Sequence, residues 1–417
     1  MATLQSCVQL ALEETPRYEA AVTTAPYRVA TDITYLPITS VGYSPNVAFV
    51  DRADELRGIE GAVPSLVDGY APAGSLAVRA YANPLTWLLC AGGYQCTYTA
   101  GGALVADPDT TTATGVNALD SATVNVASTS LFPATGTFIL LGTAVTYTGT
   151  TATSFTGCSA HPATTGGEAI TGHVPTGASK WVFTPRPFTT SAQQARSMQM
   201  LLNYVTDAVF VKAQGVGVGG LTLNSAGDMT ADLLGLVYVR TADPNLTPAY
   251  DTQAIPFFRR GDLTLTWLAA TGTTDDFSIA VANELVANRP LGQASYFPSE
   301  LNPGDARLRL TGSIPKYRLA AADLDALLAG TTFAAKARWR SPKVIGATAY
   351  KYSMWVEMPA CQYTGGAPAD LTNSRRVGGS FDFTAAYDET AGYASKITLV
   401  NSITSIGAPF NPTNVAV

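Results

Sequence analysis

The stretch Asp276-Phe-Ser-Ile-Ala-Val-Ala-Asn-Glu284 alternates apolar and polar residues, and Asp305-Ala-Arg-Leu-Arg-Leu-Thr311 repeats that alternation further along the chain. A two-residue alternation predicts a β-strand with one buried side and one solvent-facing side. Residues 285–304 separate the two stretches, so we expect a long hairpin with an extended connection. The polar faces of these strands carry Asp276, Ser278, Glu284, Arg307, Arg309 and Thr311.

A second hairpin of the same layout lies near the start of the chain. Residues 33–43 predict one strand, residues 74–81 predict its partner, and residues 44–73 connect them. A connection of about 30 residues is longer than compact domains tolerate without a role. We therefore expect it to contact a neighbouring subunit or ring, and we expect the same of the 285–304 connection. The charged residues that mark the first connection are Asp51, Arg52, Asp54, Glu55, Arg57 and Glu60.

Each hairpin is followed by a short helical segment, at residues 83–89 and 322–328. Asn83 is a candidate N-cap, and Gly92 and Gly330 are candidate helix stops. Strand, long connection, strand and short helix therefore occur twice. The repeat is either an internal duplication or a recurrent hairpin plan, and one sequence leaves both open.

Residues 95–180 differ from the rest of the chain because they are almost free of charge. Alternation over 122–127 and a hairpin pattern over 137–148 predict a small all-β unit there. We expect this Thr/Gly-rich block to be an inserted domain that faces outward, since a small unit with neighbouring ends is readily inserted. The predicted organisation is a discontinuous β domain over 1–94 and 181–400, the insert over 95–180, and a C-terminal arm over 401–417.

Further strands are predicted outside the two hairpins. Residues 191–203 fit a helix by composition, but Met198, Met200, Leu202 and Tyr204 recur at a period of two, which favours a strand. The full set of these strand candidates is 196–204, 207–214, 220–223, 229–236, 263–268, 333–340, 350–362 and 378–387.

Composition limits the class of protein. The chain has 417 residues, a net charge of −6, 13% charged residues and 47% hydrophobic residues. That apolar share fills a core and excludes a disordered chain, and the acidic balance argues against a free nucleic-acid binder. No run of about 18 apolar residues predicts a membrane span. Five scattered cysteines predict free thiols in a reducing compartment.

Two short motifs superficially resemble known catalytic or nucleotide-binding loops. The glycine-rich residues 215–220 are followed by a predicted strand, whereas a phosphate-binding loop opens a helix. Ser313 and Lys316 have the spacing of serine acylases, but Pro315 lies between them, where that motif needs a helix. Neither motif therefore predicts an active site.

Metal-binding and acid–base groups are equally sparse. Cys158, His161 and His173 offer three ligands, where a structural zinc site needs four. The acidic pairs at residues 275–276 and 323–325 fall at element boundaries, where Asp commonly caps or turns the chain. We therefore predict that the protein is not an enzyme and that it uses no cofactor or metal.

Several stretches together resemble the tail tube proteins of long-tailed, non-contractile bacteriophages. Residues 11–26 and 35–41 resemble the opening segment and first sheet strand of that family. The glycine-rich hairpin over 213–235 and the hairpin over 277–310 resemble its central and second long hairpins. Residues 150–157 resemble small β inserts of phage structural proteins.

The resemblance implies a mainly β fold, a β-sandwich/barrel with short flanking helices, assembled as hexameric rings that stack into a hollow tube. Each subunit would give two hairpins to the inner barrel, and phage DNA would pass through during ejection without specific binding. Implied partners are other copies of the chain, the tail terminator, baseplate or distal tail proteins and the tape measure protein. The location would be the virion tail, after assembly in the host cytoplasm, with no membrane.

Within that reading, the candidate lumen-facing residues are those of the hairpin polar faces together with Arg79. We expect Asp276 and Glu284 to offset the positive charge of Arg79, Arg307 and Arg309. The alternative function is another virion or surface structural protein, namely a decoration protein, an adhesin, or a tube of contractile-tail or type VI-like systems.

Overall fold

A computed structural model of the chain shows a mainly β protein with two short helices. It describes residues 7–12, 33–50, 65–99, 104–115, 117–129, 132, 134–173, 178–185, 197–204, 209–241, 257–268, 274, 276–289, 296–298, 300–303, 308–316, 320–346, 350–368 and 379–403.

The centre of the molecule is an antiparallel sheet in which eight strands follow one another without a break. Strands are numbered in chain order, and each strand is antiparallel to its neighbours. In spatial order they are β3 (Ile38–Ser44), β6 (Ala73–Arg79), β18 (Asp228–Leu234), β17 (Val209–Asn224), β21 (Ser278–Ala282), β24 (Arg309–Lys316), β27 (Gly379–Ala386) and β26 (Lys351–Pro368).

Two of these strands are long enough to continue into flanking sheets. The first half of β17 pairs with β16 and β19, and β16 carries β1 and then β2. The first half of β26 pairs with β25 and β28; β25 carries β20, and β28 carries β15 and then β7. These strands are β1 (Cys7–Leu12), β2 (Ile33–Leu36), β7 (Tyr94–Thr99), β15 (Ser179–Pro185), β16 (Met198–Tyr204), β19 (Val237–Thr241), β20 (Leu263–Thr266), β25 (Thr332–Val344) and β28 (Lys396–Asn401).

The two long connections contain strands of their own. Residues 44–73 hold β4 (Val47–Val50) and β5 (Leu66–Tyr70), which pair as a first ribbon. Residues 285–304 hold β22 (Leu285–Asn288) and β23 (Glu300–Pro303), which pair as a second ribbon. Residues 44–73 and 285–304, predicted only as long connections, therefore contain paired strands, and both hairpins extend beyond the central sheet as two-stranded ribbons.

Helices α1 (Leu85–Ala91) and α2 (Ala321–Ala329) follow β6 and β24, as the sequence predicts. Gly92 and Gly330 cap their C-terminal ends, and Gly330 adopts the left-handed conformation at φ 63°. The N-cap prediction for Asn83 was wrong: Pro84 is the N-cap residue, and the Asn83 amide donates to Ser402 Oγ at 2.9 Å.

Residues 104–173 form two small sheets with a hydrophobic core of their own. The expected hairpin over 137–148 is present, with Leu141 and Gly142 at positive φ in its tight turn. Phe138, Tyr147 and Phe155 pack together in this core. The strands are β8 (Leu104–Thr111), β9 (Thr123–Asn125), β10 (Gly136–Leu140), β11 (Thr143–Tyr147), β12 (Gly149–Thr150), β13 (Ser154–Thr156) and β14 (Ala169–His173).

The main core lies on one face of the central sheet. It holds the fully buried Trp181, Trp339 and Trp355, and every residue of α1 is buried. The described strands form open sheets and do not close into a barrel. Residues 209–223, where the sequence predicts the separate strands 207–214 and 220–223, belong to the single strand β17, while residues 207–208 lie outside the described residues.

Candidate functional site

The solvent-facing side of the central sheet is a wide surface of short side chains. One row of paired positions crosses all eight strands, and in it every side chain is Ser, Ala, Thr or Gln. Because these side chains are short or polar, the surface along the row has little relief and no apolar patch. The row runs Ser40, Ala77, Thr230, Thr222, Ala280, Thr311, Thr384, Gln362. We call this side of the sheet the polar face.

Charge on the polar face is sparse and nearly balanced. Arg79 pairs with Asp228 at 3.4 Å between Nη1 and Oδ1, with both side chains well exposed. Arg309, Asp232 and Asp382 are also exposed on this face. Two guanidinium groups therefore stand against three carboxylates among its described residues, which leaves the surface slightly acidic.

The structure places the predicted face residues in different roles. Ser278 and Ser313 contact each other across β21 and β24, with their Oγ atoms 3.0 Å apart, and Thr311 lies in the row described above. Asp276 accepts hydrogen bonds from the Ser225 hydroxyl and the Phe277 amide, so it ties the β17–β18 turn to the start of β21. Glu284 is exposed between β21 and β22.

Asp228, and not Asp276 or Glu284, is the acid that the structure places against Arg79. The reason is strand order: β18, rather than β21, lies next to β6. Asp228, Asp232 and Asp382 were not among the residues predicted from the sequence, although the alternation of Asp228, Thr230 and Asp232 with apolar residues marks the first two as facing solvent. Arg307 and the six charged residues of the first connection, Asp51 to Glu60, lie outside the described residues.

The strand order repeats, and this shows an internal duplication. Seven pairings among strands β1 to β19, the first repeat, recur among strands β20 to β28, the second repeat. They are β1–β16 as β20–β25, β3–β6 as β21–β24, β4–β5 as β22–β23, β6–β18 as β24–β27, β16–β17 as β25–β26, β17–β18 as β26–β27, and β17–β19 as β26–β28. Each helix follows the same strand of its repeat. Strands β7 and β15 and the small sheets between them are an addition to the first repeat.

The two repeats also share a detail that a common hairpin plan does not require. In the first, Asp232 lies between Ser75 and Gly220, beside a shift of register in β17. In the second, Asp382 lies between Ser313 and Gly365, beside a shift of register in β26. A glycine precedes the serine in both, at Gly74 and Gly312.

The two ribbons contact each other at one end of the central sheet. The Arg289 guanidinium forms an ion pair with the Asp68 carboxylate, with 3.6 Å between Nη2 and Oδ1. Its Nη1 also donates a hydrogen bond to the backbone carbonyl oxygen of Asp68 at 2.6 Å. The Tyr70 amide donates to the Tyr296 carbonyl at 2.9 Å, and the rings of Tyr70 and Phe297 stack with centroids 4.5 Å apart. The two connections therefore form one joined structure at that end.

The first ribbon carries an exposed apolar group at the far end of its strands. Phe49 is 61% exposed and Leu66 is 55% exposed. Val67 lies opposite Phe49 and Val50 lies opposite Leu66, and both valines are also exposed. We call these four residues the apolar tip. Its exposed apolar side chains are of the type that an interaction partner covers.

A buried network of polar side chains connects helix α2 to the strands beside it. The Lys316 ammonium donates to both carboxylate oxygens of Asp323 at 2.6 Å, and both side chains are buried. The Tyr363 hydroxyl donates to the same carboxylate at 2.7 Å and accepts from Trp267 Nε1 at 2.7 Å. Burial raises the pKa of Tyr363, so the phenol stays protonated. This network fixes α2 to β24 and β26, and Asp323 is not a cap.

The other candidate metal ligands either form hydrogen bonds or do not group together. Both ring nitrogens of His161 lie within 2.9 Å of backbone carbonyl oxygens, those of Pro162 and Ser121. Cys90 and Cys96 are buried free thiols 3.3 Å apart. Within the part of the chain that the structure describes, no three His, Cys, Asp or Glu side chains group as metal ligands.

No protein-family model and no curated protein matches the chain. Neither helix of the described residues has the length and apolar character to cross a membrane.

Proposed function

We propose that the protein is a structural subunit of a phage tail tube, and that the polar face lines the channel through which DNA passes. The observation that carries this proposal is the unbroken sheet of eight strands with one apolar side and one low, sparsely charged polar side. A β-sheet of eight strands with exposed edge strands makes a monomer prone to aggregation. Joining copies edge to edge removes that hazard and makes a wide wall.

The charge of the polar face suits a conduit better than a binding site. DNA carries one negative charge per about 1.7 Å of its axis, and affinity for it comes mainly from Lys and Arg at the phosphates. On the polar face Arg79 is already paired with Asp228, and Asp232 and Asp382 add negative charge. A surface of this kind repels phosphates weakly and lets DNA slide.

The internal duplication changes the expected number of chains in a ring. The family resemblance implies rings of six units, and this chain holds the unit twice. We therefore propose that three chains supply the six units. The joined ribbons, with the apolar tip, would contact the next ring, and the small sheets of residues 104–173 would face outward.

Negative-stain electron microscopy of the purified protein tests this proposal. We expect hollow tubes with a regular axial repeat, and end-on views with threefold symmetry. Mass measurement of single rings would give three chains. Isolated globules, or trimers without a channel, would favour a decoration protein or an adhesin and would count against the tube.

A further inference from the structure

We propose that β3 of one copy of the chain pairs with the second half of β26 in another copy, and that this contact repeats the β17–β21 contact seen inside the chain. The inference deepens the proposed function and rests on it. It identifies the partner of each end of the central sheet as a second copy of this chain.

The internal contact between the two repeats is the template. Strand β17 belongs to the first repeat and β21 opens the second, and they pair antiparallel from Gly220–Ala282 to Asn224–Ser278. In the duplicated order, the counterpart of β17 is β26 and the counterpart of β21 is β3. The edge of β26 in the second repeat therefore corresponds to the edge of β17 in the first repeat, and that edge of β17 pairs with β21 of the second repeat.

Within the described part of the chain, both edges are without a second neighbouring strand. Among the strands that the structure describes, β3 pairs with β6 alone. Strand β25 covers β26 as far as the Thr332–Gln362 pair, and residues 365–368 then pair only with β27. In the first repeat β16 covers β17 as far as Val216, and β21 takes over from Gly220. The open stretch of β26 thus occupies the position that β21 covers in β17.

The residue equivalences fix the expected register. Gly365 corresponds to Gly220, since each faces the aspartate of its repeat. Counting two residues onward, Ala367 corresponds to Thr222. Ser44 corresponds to Ala280, which lies opposite Thr222. The inference therefore places Ser44 of one copy opposite Ala367 of the next.

The chemistry of the two edges is compatible with this contact. Pro368 lacks an amide hydrogen, but it is the last residue of β26 and therefore interrupts the ladder only where the described strand ends. The strand directions alternate through all eight strands, so that β26 and the β3 of another copy meet antiparallel, as β17 and β21 do. Because the two edges differ, the contact is head-to-tail, and repeated head-to-tail contacts close into a ring or continue as a helix.

Cysteine cross-linking tests the contact directly. The variant carrying Ser44→Cys and Ala367→Cys is assembled and treated with a short bis-maleimide, and chains are separated under denaturing conditions. We expect most chains to run as covalent oligomers that end at the size of one ring. The Ser44→Cys and Ala367→Cys single variants should give no more covalent oligomers than the wild type. The wild type measures the cross-linking that arises from native cysteines such as the half-buried Cys158.

Two matched variants make the result decisive. Thr222→Cys with Ala280→Cys should cross-link inside each chain, because these residues already lie opposite each other. Ser44→Cys with Thr384→Cys moves one cysteine a strand inward, to β27, and also along the sheet, because Thr384 lies opposite Gln362 rather than Ala367, and it should give no oligomers. Cross-linking by Ser44→Cys alone would show a symmetric β3–β3 contact and overturn the inference.

The inference and the proposed function fail in different ways. Normal tubes without a Ser44–Ala367 cross-link, while the Thr222–Ala280 control reacts, would overturn the contact and leave the tube in place. A protein that shows neither tubes nor oligomers at assembly concentration would overturn both.

Discussion

At the scale of single residues, Lys316 and Asp323 form an ion pair in which both side chains are buried. We expect Lys316→Met to lower the free energy of unfolding by about 3–5 kcal/mol, because it leaves a buried carboxylate without its counter-charge. Denaturant unfolding measures this loss. The double change Lys316→Met with Asp323→Leu should recover much of it, since an apolar pair of similar volume leaves no charge unpaired.

The matched control for that change is the exposed pair of Arg79 and Asp228. We expect Arg79→Met to cost about 0–1 kcal/mol, because water and salt screen an exposed pair. If the Lys316→Met and Arg79→Met variants unfold at the same denaturant concentration, the buried pair does not hold α2 in place.

Glu168 gives the residues 104–173 a predictable response to acid. Hydrogen bonds from the Thr112 hydroxyl and from the amide and hydroxyl of Thr165 lower the pKa of this carboxyl to about 2. The Gly166 amide also donates to it, at 2.9 Å. The unfolded pKa is about 4.3. The stabilisation is therefore present above pH about 4.3 and disappears as the pH falls through about 2.

We expect a carboxyl titration of Glu168 by nuclear magnetic resonance with a midpoint near 2, and a Glu168→Gln variant whose stability changes less between pH 5 and pH 2 than that of the wild type. Glu389→Gln, on an exposed turn, serves as the control. A Glu168 midpoint near 4 would contradict the hydrogen-bonded arrangement.

At the scale of elements, the sequence predicts the strands well and their neighbours poorly. Period-two alternation marked β21, β24 and β18, because one face of each strand packs on the core. Alternation carries no information about which strands pair, so the contact between Arg79 and Asp228 was out of reach. The ribbons were missed because their strands are short and expose apolar residues such as Phe49 on no regular period.

The sequence shows the duplication as a repeated layout of predicted elements. Only the pairing of the strands distinguishes a duplication from a recurrent hairpin plan. The strongest marks of the duplication, the aspartates at 232 and 382, sit in strands of unlike sequence. Each becomes recognisable once its serine and glycine neighbours on adjacent strands are known.

The apolar tip of the first ribbon leads to a prediction for assembly. We expect Phe49→Ser with Leu66→Ser to shorten or abolish tubes, because both side chains are exposed and available to a neighbouring ring. Loss of exposed side chains should change the free energy of unfolding by no more than about 0.5 kcal/mol. Microscopy measures tube length, and Leu328→Ser, at an exposed leucine of α2, is the control.

A stronger form of that change removes the ribbon. Ser44 and Ala73 already lie opposite each other, so a short turn can replace residues 46–71 without moving β3 or β6. The shortened protein should fold and fail to form tubes. Tubes of normal length from either variant would show that the ribbon does not join rings.

At the scale of the whole molecule, the added block can be separated from the repeated body at a defined place. Thr99 and Lys180 are paired on β7 and β15, and both strands belong to the main sheet through β28. The expected boundaries of 95 and 180 therefore fall inside these strands, and the small sheets begin only at Leu104. Replacing residues 101–178 with Asn-Gly would keep β7, β15 and all of the main core except Ala178.

We expect this shortened chain to form tubes with the same axial repeat and channel width as the wild type, and with a thinner outer profile in projection. The reason is that the core of residues 104–173 is separate from the main core, while all eight strands of the central sheet lie outside the excised segment. The Glu168→Gln variant is the control, since it weakens the block without removing it. If excision abolishes tubes while the protein remains folded by circular dichroism, the block takes part in assembly and does not simply decorate the outside.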